Sequence, residues 1–190
     1  MEYFDEELLE AKRELERQKH TTLETGIYAG EELITFTKEN LPESNVFMYL
    51  PEQFVVMPDR VKEVKYPYKN APKIIITSMD STVNFAFNFL PEQPKDGEIK
   101  SMAIQFQTAL KNMNPSIRTK NQKDTKTNQG NEMSYFDYIG YHLDGQSYNR
   151  IYLIRLKKMV LHCAFSCIFK DAGNWMEIIN KMLFALEENL

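Results

Sequence analysis

The chain has 190 residues, of which 43% are hydrophobic and 26% are charged, as in an ordinary globular domain. These proportions exclude wholesale disorder and a collagen-like chain, and two cysteines are too few for a disulfide scaffold. No apolar run approaches the roughly 18 residues of a membrane helix. The acidic start, MEYFDEELLEAKRELERQ, does not resemble a secretory signal. We therefore expect a soluble, cytoplasmic protein with no membrane contact.

The net charge of -4 is unevenly distributed along the chain. Residues 1–60 carry six Lys or Arg against 14 Asp or Glu, whereas residues 61–190 carry 17 against 13. No strongly basic domain exists, so we expect no nucleic-acid partner. Residues 2–19 have a narrow apolar stripe at helical spacing, formed by Phe4, Leu8, Ala11 and Leu15. This pattern predicts an acidic helical arm at 1–22, either solvated or docked, beside a single domain at 23–190.

The remaining segments predict runs of strands separated by helices. Strand patterns occupy 33–37, 46–50 and 54–57, and a hairpin spans 73–78 and 81–89 around Met79-Asp80. An apolar stripe predicts a helix at 98–113, and the polar stretch 116–132 predicts a long mobile hairpin loop in which a short strand at 116–119 is an open alternative. Further strands follow at 133–143, 150–156 and 159–169, with a turn at Asp144-Gly145 and a last helix at 175–188. This order predicts an α+β fold with a single antiparallel sheet and helices packed on it.

Several segments resemble the PsbP-like α/β/α sandwich family. They are YLPEQF at 49–54, KYP at 65–67 followed by NAPKIIITSMDSTVNFAFN, the turn LDGQSYNRIYLI, and a terminal helix opened by Trp175. The similarity covers about residues 45–188 and leaves the acidic arm outside. The family includes the extrinsic photosystem II protein PsbP, Ran-binding nuclear-import relatives and DcrB-like bacterial proteins. The resemblance implies helices on both faces of the sheet, and roles in binding and assembly without catalytic residues.

The two cysteines and three histidines provide few options for chemistry. Cys163 and Cys167 lie four apart in a predicted strand, about 13 Å along it, which is too far for a mutual disulfide. We expect both to be buried structural thiols, and we expect no metal site and no cofactor, since no metal-ligand spacing recurs. His142 lies near Asp137 and Asp144 in sequence, so a general base with an orienting carboxylate is one alternative. A strand-end histidine without a catalytic role is the other.

Tyrosines and basic residues are the candidates for an interaction surface. Tyrosine beside arginine is a composition favoured at binding surfaces, and the alternative is sheet packing with hydroxyls that reach solvent. The loop at 116–132 is basic and could meet acidic groups. The candidate interaction residues are Tyr135, Tyr138, Tyr141, Tyr148, Arg150 and Tyr152 in the hairpin, and Arg118, Lys120, Lys123 and Lys126 in the loop.

These observations favour a non-enzymatic binding or assembly protein that uses a tyrosine-rich sheet surface and the basic loop. Its partner would be an unidentified protein, and weak self-association stays open. A second hypothesis is a small-ligand carrier with an apolar pocket between the sheet and the helix at 98–113, opened by Met102 and Met113. A third is a hydrolase-type enzyme built around His142.

Overall fold

A computed structural model describes residues 2–42, 44–67, 71–143 and 145–189, with the side chains of residues 2–5 and of Asn121 left out. The elements of this part are α1 (Glu2–Lys19), β1 (Thr21–Thr22), β2 (Gly26–Ala29), β3 (Glu32–Ile34), β4 (Phe36–Asn40), β5 (Val46–Pro51), β6 (Val55–Val56), α2 (Asp59–Lys65), β7 (Ile74–Thr77), β8 (Asn84–Leu90), α3 (Glu98–Met113), β9 (Arg118–Lys126), β10 (Glu132–His142), β11 (Gly145–Arg155), β12 (Val160–Ile168), a 3-10 turn (Phe169–Asp171), α4 (Ala172–Phe184) and β13 (Glu187–Glu188).

The strands form one large and two small antiparallel sheets. The large sheet has seven strands in the order β6-β7-β8-β12-β11-β10-β9, and the small sheets have the orders β1-β2-β3 and β13-β5-β4. The predicted α+β fold is confirmed, and the four longest predicted strands are neighbours in the large sheet. The prediction of a single sheet is wrong. Alternation of apolar and polar residues identifies a strand, but it does not identify the strand's neighbours. It therefore could not show that the N-terminal strands form separate small sheets, one of which includes β13.

Helices cover both faces of the large sheet. On one face, α4 and the small sheets enclose the main core, in which Trp175 packs against Phe165 at 6.2 Å between ring centroids. On the other face, α3 buries Ile99 and Ala103 against β10, β11 and β12. Beside α3, the segment around α2 covers Ile75 and Ala86. We refer to these as the α4 face and the α3 face.

The structure corrects one local prediction and adds one helix that was not predicted. The stretch predicted as a mobile loop contains the nine-residue strand β9, and the region after β6 contains the short helix α2. Strand β9 has the sequence RTKNQKDTK and contains no apolar residue. It can form a strand without apolar side chains because it lies at the edge of the sheet, with little contact to the core. The predicted turn residue Asp144 lies outside the described residues.

Helix α1 lies at the periphery, as its narrow stripe predicts. Leu8 and Leu15 are exposed, and Phe4 lies among the side chains that are not described. The helix is attached near its end, where Arg17 donates hydrogen bonds to the Gly30 carbonyl at 2.9 Å and to Glu31 at 2.7 Å. In the described part of the chain, none of the helices is both long and apolar enough to cross a bilayer.

Candidate functional site

The hairpin tyrosines are divided between the two faces of the sheet. Tyr135 and Tyr148 are each 6% exposed and Tyr152 is fully buried, all three beneath α4. They are not surface residues, because α4 and the small sheets cover this face. Tyr141 is 53% exposed, and Tyr138 is partly buried on the α3 face. The predicted tyrosine-rich surface is therefore reduced to Tyr138 and Tyr141.

Arg150 is also a core residue and belongs to a buried polar network. Its Nε donates to Asp137 Oδ1 at 2.5 Å and its Nη2 donates to Oδ2 at 3.0 Å. Its Nη1 donates to Asn180 Oδ1 at 2.9 Å, and the hydroxyl of Tyr152 donates to the same oxygen at 2.8 Å. The network connects β10 and β11 to α4. Its arrangement indicates a structural role, since the two charges neutralise each other away from solvent.

The predicted partnership between His142 and Asp137 does not form. Asp137 points to the α4 face, where Arg150 holds it, whereas His142 lies at the exposed end of β10 on the α3 face. Asp144, the other carboxylate considered, lies outside the described residues. Instead, Nε2 of His142 forms a 2.9 Å hydrogen bond with the Oγ of Ser147.

The space between α3 and the sheet is filled. Ile99, Ala103 and Phe106 pack on the strands, and Phe106 stacks on His162 with 5.1 Å between ring centroids. Met102 is half-buried, and Met113 projects into solvent. The sheet-facing side chains of α3, which the carrier hypothesis places beside a pocket, therefore pack on the strands instead.

The two thiols are buried, as predicted. Cys163 and Cys167 lie on the α4 face, and neither forms a disulfide. Burial raises the pKa of Cys163 and, with the nearby Asp171 adding to the effect, raises that of Cys167 to about 12. Both side chains are therefore poor nucleophiles at neutral pH. Within the described residues, no three His, Cys, Asp or Glu side chains are arranged to hold a metal ion.

A large cleft opens on the α3 face where the helices no longer cover the sheet. It has a volume of about 690 Å³ and lies between the end of α2, the loop after α3, and the ends of β8, β10, β11 and β12. We call it the sheet-end cleft. Its walls include Lys65, Tyr66, Ile117, Tyr141 and His142.

A row of four polar side chains runs across four adjacent strands at the floor of this cleft. The cross-strand register pairs Asn84 with Ser166, Ser166 with Asn149, and Asn149 with Tyr138. We call these residues the polar row. Thr77 and Thr119 continue it onto the outer strands β7 and β9. Six successive strands thus place a hydrogen-bonding side chain at the same level.

The neighbouring row on the same face is apolar. Two residues along each strand, Ala86 pairs with Ala164, Ala164 with Ile151, and Ile151 with Phe136. This row is covered by α3 and by the segment around α2. The change from apolar to polar residues therefore coincides with the point at which the helical cover ends, as expected where a sheet face meets solvent or a ligand.

Hydrogen bonds hold one end of the polar row in place. Asn84 Oδ1 accepts from Thr77 at 2.9 Å and from Lys65 Nζ at 3.3 Å. Burial lowers the pKa of Lys65, and the nearby Asp80 carboxylate opposes that shift. Burial, with a smaller effect of Tyr66, raises the pKa of Tyr138 to about 12, so this hydroxyl keeps its proton at neutral pH.

A serine at the other end of the cleft bridges a histidine and an asparagine. Ser147 Oγ accepts from Asn149 Nδ2 at 2.9 Å and is hydrogen-bonded to His142. Gly140 lies under this group. A Cβ at this position would lie 2.6 Å from Ser147 Oγ and 3.2 Å from His142 Nε2, so the arrangement needs glycine here.

The cleft was missed at the sequence level because its residues are remote from one another along the chain. Asn84 and Ser166 are 82 residues apart, and their hydrogen bond depends on the pairing of β8 with β12. A signal existed in the strand 81–89, where asparagines alternate with apolar residues. That pattern indicates a polar face, but it does not show that the polar residues of four strands coincide.

Comparison with known proteins identifies the fold and no closer relationship. No protein-family model matches the chain, and no curated protein matches it. Among solved structures, cyanobacterial PsbP (CyanoP) from Synechocystis sp. PCC 6803 superimposes with a TM-score of 0.57 at 7% identity, covering 84% of this chain and 96% of that one. LpqN, involved in cell envelope biogenesis of Mycobacterium tuberculosis, superimposes with a TM-score of 0.51 at 9% identity, covering 88% of this chain and 96% of that one.

A protein of Bacteroides thetaiotaomicron VPI-5482 gives a TM-score of 0.51 at 13% identity, covering 80% of this chain and 48% of that one. At such identities the likeness is one of fold alone. The chain therefore has the PsbP-like fold that its sequence resembles.

Proposed function

We propose that the protein is a non-enzymatic binding domain that holds a small polar organic molecule in the sheet-end cleft. The observation that carries the proposal is the polar row at the floor of a cavity of about 690 Å³. Cavities of roughly 300–1,000 Å³ with a few convergent polar groups are typical ligand sites.

The hydrogen-bonding capacity of the row supports this function. Asn149 uses its Nδ2 for Ser147, and its Oδ1 accepts no hydrogen bond from the residues that the structure describes. The protonated hydroxyl of Tyr138 can donate, and Lys65 places a cation at the α2 side of the opening. A ligand with both donors and acceptors, such as a sugar or an amino acid, fits this set better than a hydrocarbon does.

Nuclear magnetic resonance can test the proposal with defined probes. Glucose, glucosamine, glutamate, glutamine and citrate would each be titrated into the isotope-labelled protein while backbone amide shifts are followed. We expect at least one probe to cause saturable shifts at the polar row, with the effect lost in Asn149→Leu and kept in the control Asn174→Ala, an exposed position on α4. Native mass spectrometry of protein purified from its own cells provides a second measurement. If no probe shifts the row and no molecule co-purifies, the proposal is wrong.

The Ser147–His142 hydrogen bond favours a second candidate function, serine-dependent ester hydrolysis. Ser147 Oγ would attack the ester carbonyl carbon while His142 Nε2 takes its proton and passes it to the departing alcohol. Water, deprotonated by the same histidine, would then release the acid from Ser147. A fluorophosphonate probe tests this directly. Labelling that is lost in Ser147→Ala would favour the hydrolase over the binding domain, and an unlabelled protein would exclude it.

A further inference from the structure

The edge strand β9 presents both unpaired backbone groups and basic side chains to a binding partner. It is the last strand of the seven-stranded sheet and, in the described part of the chain, pairs with β10 alone. Backbone N–H and C=O groups along its other side are therefore open to a further strand. Nine residues are long for an edge strand, and long open edges are the sites at which sheets accept extended peptides.

An irregularity in the pairing places three basic residues on the same face. Arg118 lies opposite Ile139, Lys120 opposite Asp137 and Lys123 opposite Tyr135, and the register shifts between Lys120 and Lys123. Without this bulge, positions 120 and 123 would project to opposite faces. With it, Arg118, Lys120 and Lys123 follow one another along the α4 face of the edge. We call them the basic edge row.

The side chains of the basic edge row lie at the surface of the protein. All three side chains are exposed, and none makes an ion pair with a residue that the structure describes. The acidic residue of the strand, Asp124, is directed to the other face, where Lys100 lies 3.0 Å away and Ser134 donates a hydrogen bond at 2.8 Å. Lys126 pairs with Glu132 in the register and also belongs to that other face.

We propose that β9 is a docking site for an extended acidic segment of a partner protein, which adds to the sheet as an eighth strand. Side chains on one face of a strand repeat every two residues, about 6.6 Å apart, so Asp or Glu at alternate positions of the segment would face the basic edge row. A peptide fits better than a nucleic acid because the edge supplies backbone hydrogen bonds in a line, and because the chain as a whole is acidic. This site is separate from the sheet-end cleft.

A peptide-binding experiment can separate backbone pairing from simple charge attraction. The probe is a fluorescein-labelled peptide Thr-Glu-Thr-Glu-Thr-Glu-Thr-Glu-Thr, matched in length to β9, and binding is followed by fluorescence anisotropy. A second peptide has the same sequence but N-methyl groups on alternate residues, which remove the backbone donors along one edge of the extended peptide and keep every charge. We expect the methylated peptide to bind at least about tenfold more weakly.

Charge reversal on the protein provides the complementary control. We expect Lys120→Glu/Lys123→Glu to weaken binding at least about tenfold, and the matched control Lys111→Glu on α3 to change it less than about twofold. Circular dichroism would confirm that each variant is folded, and Arg118→Glu is the alternative should the double variant unfold. Equal binding of the two peptides, binding unaffected by charge reversal, or tighter binding of single-stranded DNA than of the acidic peptide would each overturn the proposal.

Discussion

The buried pair Asp137–Arg150 allows a quantitative test of how α4 is held on the sheet. Arg150 is 5% exposed and Asp137 is 4% exposed, and two hydrogen bonds join them. Asp137→Leu would leave the guanidinium buried without its counter-charge, in contact with Asn180 and with the rings of Tyr135 and Tyr148. Removing one member of a buried ion pair destabilises a protein by about 3–5 kcal/mol, a large part of a typical stability of about 5–15 kcal/mol.

The double variant distinguishes the ion pair from ordinary packing. Arg150→Met alone should also destabilise the protein, because it leaves the Asp137 carboxylate buried. Replacing both residues removes both buried charges, while the hydrogen bond of Tyr152 to Asn180 remains. We therefore expect Asp137→Leu/Arg150→Met to be more stable than either single variant. Urea unfolding at neutral pH, followed by circular dichroism, gives the three free energies of unfolding. This reasoning would be refuted if the two substitutions had additive effects on the free energy of unfolding. It would also be refuted if a single variant lowered that free energy by less than about 1 kcal/mol.

The burial of three side chains and the exposure of α1 lead to three further expected results. Burial lowers the pKa of His162 to about 4, below its unfolded value of about 6.5, so only the unfolded chain takes up this proton as the pH falls between these values. The free energy of unfolding should therefore fall by about 3 kcal/mol over this pH range. Urea unfolding should show this decrease in the unsubstituted protein and not in His162→Phe. Deleting residues 1–16, which leaves the attachment through Arg17 intact, should change the free energy of unfolding by less than about 1 kcal/mol in the same assay. Cys163 and Cys167 should react with a bulky maleimide only under unfolding conditions, and rapid labelling of the native protein, detected by mass spectrometry, would contradict their burial.

Elements with strong periodicity could be predicted from the sequence, and weakly apolar ones could not. The helix predicted at 98–113 has the bounds of α3, because its stripe repeats without interruption. Most of strand β9 was predicted as a loop because both of its faces lie near solvent, so it has no apolar alternation to detect. The short strands β1 to β3 have too few residues for a period to be visible, apart from the part of β3 that overlaps 33–37.

The candidate site shows a different limit of sequence reasoning. Alternation in β10 and β11 separates two sets of side chains, but it does not say which set a helix will cover. Tyr135 and Tyr152 were assigned to a surface for this reason, although α4 lies over them. The polar row had no local signature, since it arises only when β8, β12, β11 and β10 are aligned.

The order of strands in the large sheet also has a consequence for how the chain folds. Strands β9 to β12 pair with neighbours in sequence, as do β6 to β8, so each group can form through local contacts. Among the strands that the structure describes, only the pairing of β8 with β12 joins the two groups, and it brings together residues as far apart as Asn84 and Ser166. Closing that long loop has a large entropic cost, which makes it the slow step that we expect in folding. The sheet-end cleft lies across this joint, so its floor is complete only after the two halves have met.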